Sequence, residues 1–92
     1  MEHTNLTRRQ FSRIKRVYGL TSQEWYGLLE RQNGVCAICE REVPTCVDHI
    51  HNDTGKVRGL LCKPCNGILG VWKDDPNIAE RAVAYLKLSR EK

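Results

Sequence analysis

The amino-acid sequence predicts a small α+β fold, with helices at both ends of the chain and a β-hairpin in the middle. Apolar residues recur at helical spacing before residue 34 and after residue 76. Between them, two short runs rich in β-branched residues flank the turn-forming sequence 52–55. All five cysteines of the 92 residues also lie in this middle part. A chain this small is expected to form one domain, 1–92, and to need stabilisation beyond its hydrophobic core.

Residues 5–18 are predicted to form an amphipathic helix. Their apolar side chains fall within an arc of about 140°, and the basic side chains occupy the opposite arc. The first twenty residues carry a net charge of +4, whereas residues 21–92 hold ten basic and ten acidic side chains. This uneven distribution favours contact with a polyanion through the helix, and a solvated helix face is the alternative. The candidate contacts are Arg9, Arg13 and Arg16.

A second helix and a hairpin follow. Thr21–Glu24 has the form of a capping box and Asn33-Gly34 ends the pattern, so helices are expected to fill residues 1–34. Thr45–Ile50 and Val57–Leu61 are the predicted strands. They belong to a central core, residues 35–72, in which a short helix runs from near Pro64 to its end.

A last helix is predicted over residues 76–89. Asp75-Pro76 supplies an N-cap and a first-turn proline for it. Helical spacing predicts that its buried stripe consists of Ile78, Ala82, Tyr85 and Leu86.

The cysteines form two matched pairs, Cys36-x2-Cys39 and Cys62-x2-Cys65, with 22 residues between them. The first twenty residues contain no apolar run suited to a signal peptide, and no 18-residue apolar stretch occurs, so a reducing cytoplasm without membrane contact is expected. In that compartment paired cysteines are typical of metal sites. Four thiolates complete a tetrahedral zinc site and leave no open position, so one structural Zn²⁺ is predicted. Cys46 is expected to be a small buried hydrophobe.

Three polar residues beside the cysteine pairs are candidates for chemistry. Asp48 and His49 are adjacent on the first predicted strand, so their side chains would leave on opposite faces unless a strand end or a bulge intervenes. Asn66 follows the last cysteine in the first turn of the next helix. The zinc would therefore fix the hairpin against the helix that carries Asn66. His3 is given no role.

The string Val47-Asp48-His49-Ile50-His51, followed by residues 55–66, resembles the recombination endonuclease VII group of phage-type HNH nucleases. The resemblance covers roughly residues 18–88 and implies a ββα-metal fold and a metal-dependent DNA endonuclease. In that group the residues matching Asp48 and Asn66 hold one divalent cation, here Mg²⁺ or Mn²⁺, and the residue matching His49 is the general base. His51 would make a supporting contact to the phosphate or the metal.

The chemistry agrees with these roles. A neutral imidazole can take a proton from water at neutral pH, and a hard cation on carboxylate and amide oxygens can act as a Lewis acid. Arg58, with Lys56 beside it, is a candidate phosphate contact, and an ordinary surface cation is the alternative. DNA is the expected partner, and a monomer or weak homodimer is the expected state. If the chain is phage-encoded, it would act in the host cytoplasm.

Two departures from the group concern the substrate. Some members carry a carboxylate three residues after the Asn, where this chain has Leu69. The 92 residues also leave no room for the long dimerisation helices of the junction-resolving enzymes. Both argue against resolution of four-way junctions. The alternative functions are a non-catalytic zinc-stapled DNA-binding module and, more distantly, a zinc-built protein-interaction module.

Overall fold

The computed structural model describes residues 6–50 and 56–90, with side chains through residue 88. Within these ranges the chain forms four helices and a two-stranded sheet, so the α+β class is confirmed. No helix of the described part is long and apolar enough to cross a membrane. The elements in chain order are α1 (Arg8–Tyr18), α2 (Ser22–Arg31), β1 (Cys46–His49), β2 (Val57–Leu61), α3 (Lys63–Val71) and α4 (Pro76–Arg90).

Both N-terminal helices begin with a capping box. The predicted box at α2 is confirmed: Thr21 Oγ1 accepts from Glu24 N–H at 3.1 Å, and Glu24 Oε1 accepts from Thr21 N–H at 2.8 Å. Thr7 and Gln10 make the same pair of hydrogen bonds at the start of α1. This Thr-x-x-Gln capping box was not predicted. These caps satisfy backbone N–H groups that a helix start leaves without partners.

The hairpin separates two apolar clusters. On one face Val47 and Leu60 pack with residues of α1 and α2, among them the fully buried Trp25. On the other face Leu61 packs with the cysteines. Leu60 and Leu61 are adjacent on β2, so the alternation of a strand sends one to each cluster.

The side-chain amide of Gln32 makes two hydrogen bonds with the backbone of β2, as a neighbouring strand would. Its Oε1 accepts from Leu60 N–H at 2.9 Å, and its Nε2 donates to Leu60 O at 3.0 Å. Nε2 also donates to Val35 O at 2.9 Å. The absence of a side chain at Gly59 makes room for this contact, because a Cβ there would lie 3.2 Å from Gln32 Oε1. Gln32 therefore joins the end of α2 to the edge of the hairpin.

The prediction of a buried stripe on α4 is wrong for half of its members. Ile78 and Ala82 are half-buried, but Tyr85 is 70% exposed and Leu86 is 61% exposed. Neither apolar cluster of the described residues includes a side chain of α4. In the described residues no element covers the C-terminal half of this helix closely enough to bury its periodic apolar side chains, so they lie on the surface. Asp75 caps the helix as expected, since its Oδ1 accepts from Asn77 N–H at 2.9 Å.

Candidate functional site

The four predicted zinc ligands come together on the face of the hairpin opposite α1 and α2. The sulfurs of Cys36, Cys39, Cys62 and Cys65 all lie within 4.8 Å of one another. Cys39 Sγ and Cys62 Sγ are 3.9 Å apart. Four sulfurs at about 2.3 Å from a tetrahedral zinc would be about 3.8 Å apart, so this cluster could hold a structural zinc ion.

Backbone amides near Cys36 favour the thiolate form of this cysteine. Burial would raise the pKa of Cys36, but amides of Cys62, Cys39 and Ile38 outweigh it and lower that pKa to about 6. The N–H of Ile38 lies 3.4 Å from Cys36 Sγ. Burial and the neighbouring sulfurs instead raise the pKa of Cys65 to about 12. Thiolates are the form in which cysteines bind a metal. Cys46, expected to be buried, is only half-buried.

A bulge lies between the two candidate catalytic residues of β1. Asp48 is paired with Gly59 but His49 is paired with Val57, so β2 carries one additional residue, Arg58, at this point. The additional residue is on β2, which is the strand that a bulge bends, and His49 is the last residue of β1. At this end of β1, Asp48 and His49 line the same cleft.

The cleft has a volume of about 150 Å³ and takes its polar lining from three parts of the fold. Asn66, in the first turn of α3, faces it together with the two residues of β1. The structure thus brings together the three residues to which the sequence assigned the reaction centre. Its further lining includes Tyr18, Leu69 and Asp74.

The guanidinium of Arg58 is hydrogen-bonded to the carboxylate of Asp48. Its Nε donates to Asp48 Oδ2 at 2.6 Å and its Nη2 to Asp48 Oδ1 at 3.2 Å. Asp48 is only 6% exposed, so this forked contact compensates for the burial of a charge. The hydrogen bonds with Asp48 raise the pKa of Arg58 further, and the charge of Asp74 adds to the effect. Arg58 was predicted to contact phosphate, and here its guanidinium contacts the acids of the cleft.

An aromatic ring orients the candidate base. The ring of Tyr18, the last residue of α1, lies against the imidazole of His49 with centroids 5.3 Å apart and planes at 48°. Tyr18 was not predicted as a site residue. The contact fixes one side of the imidazole and ties the end of α1 to the cleft.

Asp74 reaches the cleft through an unusual turn after α3. Lys73 and Asp74 both adopt left-handed backbone conformations, with φ of 54° and 59°. The N–H of Asp74 donates to Leu69 O at 3.0 Å, which closes the turn. Asp74 Oδ1 then lies 3.5 Å from Arg58 Nη2. Asp74 was not predicted as a site residue, because its position in the cleft depends on the turn that follows α3.

The remaining predicted residues lie apart from the cleft or outside the described residues. The side chain of Lys56 is exposed beside β2, and His51 is outside the described ranges. The three candidate arginines of α1 are exposed and, at 100° per residue, lie on the side of the helix opposite Tyr18. They can form a separate contact surface but do not line the cleft. They are Arg9, Arg13 and Arg16.

The chain is similar to a known protein family and to phage proteins. The family model for recombination endonuclease VII matches residues 11–88. The Gene 59 protein of Mycobacterium phage D29 is 43% identical over 81 residues, 83% of this chain and 48% of the relative. The Gene 59 protein of Mycobacterium phage L5 is 42% identical over 80 residues, 82% of this chain and 48% of the relative. The chain thus spans about half the length of these relatives, and no solved structure matches it. The chain belongs to the recombination endonuclease VII family.

Proposed function

We propose that this chain is an HNH-type endonuclease that hydrolyses phosphodiester bonds in DNA with the help of a divalent cation. The observation that carries the proposal is the convergence of Asp48, His49 and Asn66 on one cleft, at the end of β1 where the strand register shifts. A hairpin that only presented a zinc cluster or a basic surface would have no need of this convergence. Family membership supports a nuclease, and DNA is the substrate class that follows from it.

The donor groups of the cleft fit a hard cation. Asp48 offers carboxylate oxygens and Asn66 an amide oxygen, which are the ligand types that Mg²⁺ and Mn²⁺ prefer. The cleft also favours positive charge, since the buried carboxylate of Asp48 is in contact with a guanidinium. Asp48 and Asn66 would hold the cation, which when bound supplies positive charge to the scissile phosphate and to the leaving oxygen.

His49 is positioned to act as the general base. Its imidazole is half-buried at the cleft, and Tyr18 holds one side of the ring. A nitrogen of the ring takes a proton from a water molecule as the water oxygen forms a bond to phosphorus. The bond from phosphorus to the 3′ oxygen then breaks, and the leaving oxygen takes a proton from solvent. Arg58 can stabilise the phosphate by charge-assisted hydrogen bonds, because its side chain is 42% exposed.

The other parts of the fold serve binding and support. A structural zinc on the four cysteines would hold the hairpin against α3, and the basic face of α1 would bind the DNA backbone away from the cleft. One cleft cuts one strand, so a monomer would nick DNA, and a cut of both strands would need a homodimer or a second encounter. The phage relatives fit action in the cytoplasm of a host cell.

A plasmid-nicking assay tests the proposal. The purified chain should nick supercoiled plasmid with Mg²⁺ or Mn²⁺. His49→Ala should lose at least ~100-fold in rate while zinc content and DNA binding stay unchanged, because only the base is lost. Asp48→Ala and Asn66→Ala should also lose rate, and excess metal should restore part of it, unlike in His49→Ala. His3→Ala is the matched control and should nick like the wild type.

Two outcomes would contradict these assignments. If His49→Ala nicks at the wild-type rate, His49 is not the base, and His51 is the next histidine to replace. If the wild type binds DNA but nicks none with either metal, the non-catalytic DNA-binding module replaces the nuclease.

A further inference from the structure

Two carboxylates of the cleft converge on one nitrogen atom of Arg58. Nη2 lies 3.2 Å from Asp48 Oδ1 and 3.5 Å from Asp74 Oδ1. Asp48 belongs to β1 and Asp74 to the turn between α3 and α4, so the fold itself brings the two acids together. Asn66 lines the same cleft.

The two carboxylates are a pair of negative charges in a partly enclosed cleft. Asp48 is 6% exposed and the side chain of Asp74 is 23% exposed, so solvent screens their mutual repulsion only in part. A divalent cation would match the two carboxylates in charge.

We propose that Asp74 is a further ligand of the catalytic cation, beside Asp48 and Asn66, and that the cation and Arg58 compete for the same two carboxylates. This inference rests on the nuclease function proposed above. With the cation bound, Arg58 would turn outward, where its half-exposed guanidinium can meet the phosphate.

The turn that carries Asp74 supports this role. Two successive non-glycine residues in left-handed conformations are costly, and such backbones persist where the surroundings hold them. As a result, the side chain of Asp74 lines the cleft. Its neighbour Asp75 is used differently, as the N-terminal cap of α4. Leu69, which closes the turn through its carbonyl, packs against the cysteine cluster and offers no side-chain oxygen.

Binding of Mn²⁺ to the zinc-loaded chain tests the inference without reference to activity. Electron paramagnetic resonance of free Mn²⁺ gives the affinity of each variant. Asp74→Asn, which keeps the shape of the side chain, should weaken Mn²⁺ binding at least about tenfold. Asp75→Asn removes the same charge one residue away and keeps an oxygen for the cap, so its affinity should stay within about twofold of wild type. Circular dichroism and zinc content should be unchanged in both.

Arg58→Gln tests the competition. Removal of the guanidinium should strengthen Mn²⁺ binding several-fold and slow plasmid nicking, because the carboxylates gain freedom while the phosphate loses a contact. Weaker Mn²⁺ binding in Arg58→Gln would refute the competition. If the wild type nicks DNA and Asp74→Asn binds Mn²⁺ equally well, the assignment of Asp74 is wrong and the nuclease stands. A wild type that neither binds Mn²⁺ nor nicks DNA overturns both proposals.

Discussion

The Gln32 side chain provides a quantitative test of how the hairpin is held. In Gln32→Ala, the N–H of Leu60 loses its acceptor at 2.9 Å, and Leu60 is fully buried. A buried donor left without a partner costs about 1–3 kcal/mol. The carbonyl of Leu60 still accepts a hydrogen bond from the N–H of Ala37 at 3.2 Å, and the carbonyl of the half-buried Val35 can accept one from water. These two carbonyls therefore add little to the loss of stability. We therefore expect Gln32→Ala to lower the free energy of unfolding by about 2 kcal/mol.

Urea unfolding at saturating zinc, followed by circular dichroism, measures this loss. Gln23→Ala is the matched control, because it replaces an exposed glutamine of the same helix and should change stability by no more than about 0.5 kcal/mol. Gln32→Glu tests the oxygen and the nitrogen of the side-chain amide separately. It keeps an acceptor for Leu60 N–H but sets a carboxylate against the carbonyls of Leu60 and Val35, so it should also destabilise the chain.

A loss below about 0.5 kcal/mol in Gln32→Ala would refute the reasoning, since it would mean that water or a rearranged backbone satisfies Leu60. A loss equal to that of Gln23→Ala would have the same meaning. Either result would leave α2 and the hairpin joined by apolar contacts alone.

Two further predictions concern the zinc and the basic helix. Elemental analysis should find about one zinc per chain, and Cys62→Ala should lose zinc and fold together, whereas Cys46→Ala keeps both; a well-folded sample without zinc would exclude the site. Replacement of three exposed arginines of α1 by Gln should flatten the salt dependence of DNA binding by up to ~0.9 log–log units per lost phosphate contact, and an unchanged slope would show that the helix does not face DNA. Those residues are Arg9, Arg13 and Arg16, and the charge-matched control replaces Arg41, Arg81 and Lys87, also exposed.

Local signals explain most of what the sequence could predict. A capping box such as Thr21–Glu24 is satisfied within four residues, and a C-x2-C turn needs no distant partner to set its shape. The strands followed from β-branched runs in the same way. The convergence of Asp48 and His49 could also be anticipated, because adjacent strand residues can share a cleft only through a strand end or a bulge. His49 ends β1, opposite a bulge in β2.

The features that escaped prediction depend on contacts between distant segments. Gln32 and Leu60 are 28 residues apart, and nothing near either one signals the pairing. Helical spacing on α4 marked Tyr85 as buried, but spacing shows only which side chains share a face and not whether another element covers that face. Asp74 was missed for a related reason, since its position depends on a left-handed turn at a residue other than glycine.

The arrangement of the cysteines gives the zinc site a direct bearing on the chemistry. Cys62 follows β2 immediately and caps α3, and Cys65 immediately precedes Asn66. The sulfur cluster therefore fixes the first turn of α3 relative to β1, which carries Asp48. Because ligand oxygens must lie within a few tenths of an ångström of their places around a small cation, a loose α3 would separate Asn66 from Asp48 before the rest of the core unfolds. The apolar cluster around Trp25 lies on the opposite face of the hairpin and cannot replace this restraint. A structural metal on the four cysteines and the proposed catalytic cleft would thus belong to one part of the fold, in which the first sets the geometry that the second requires.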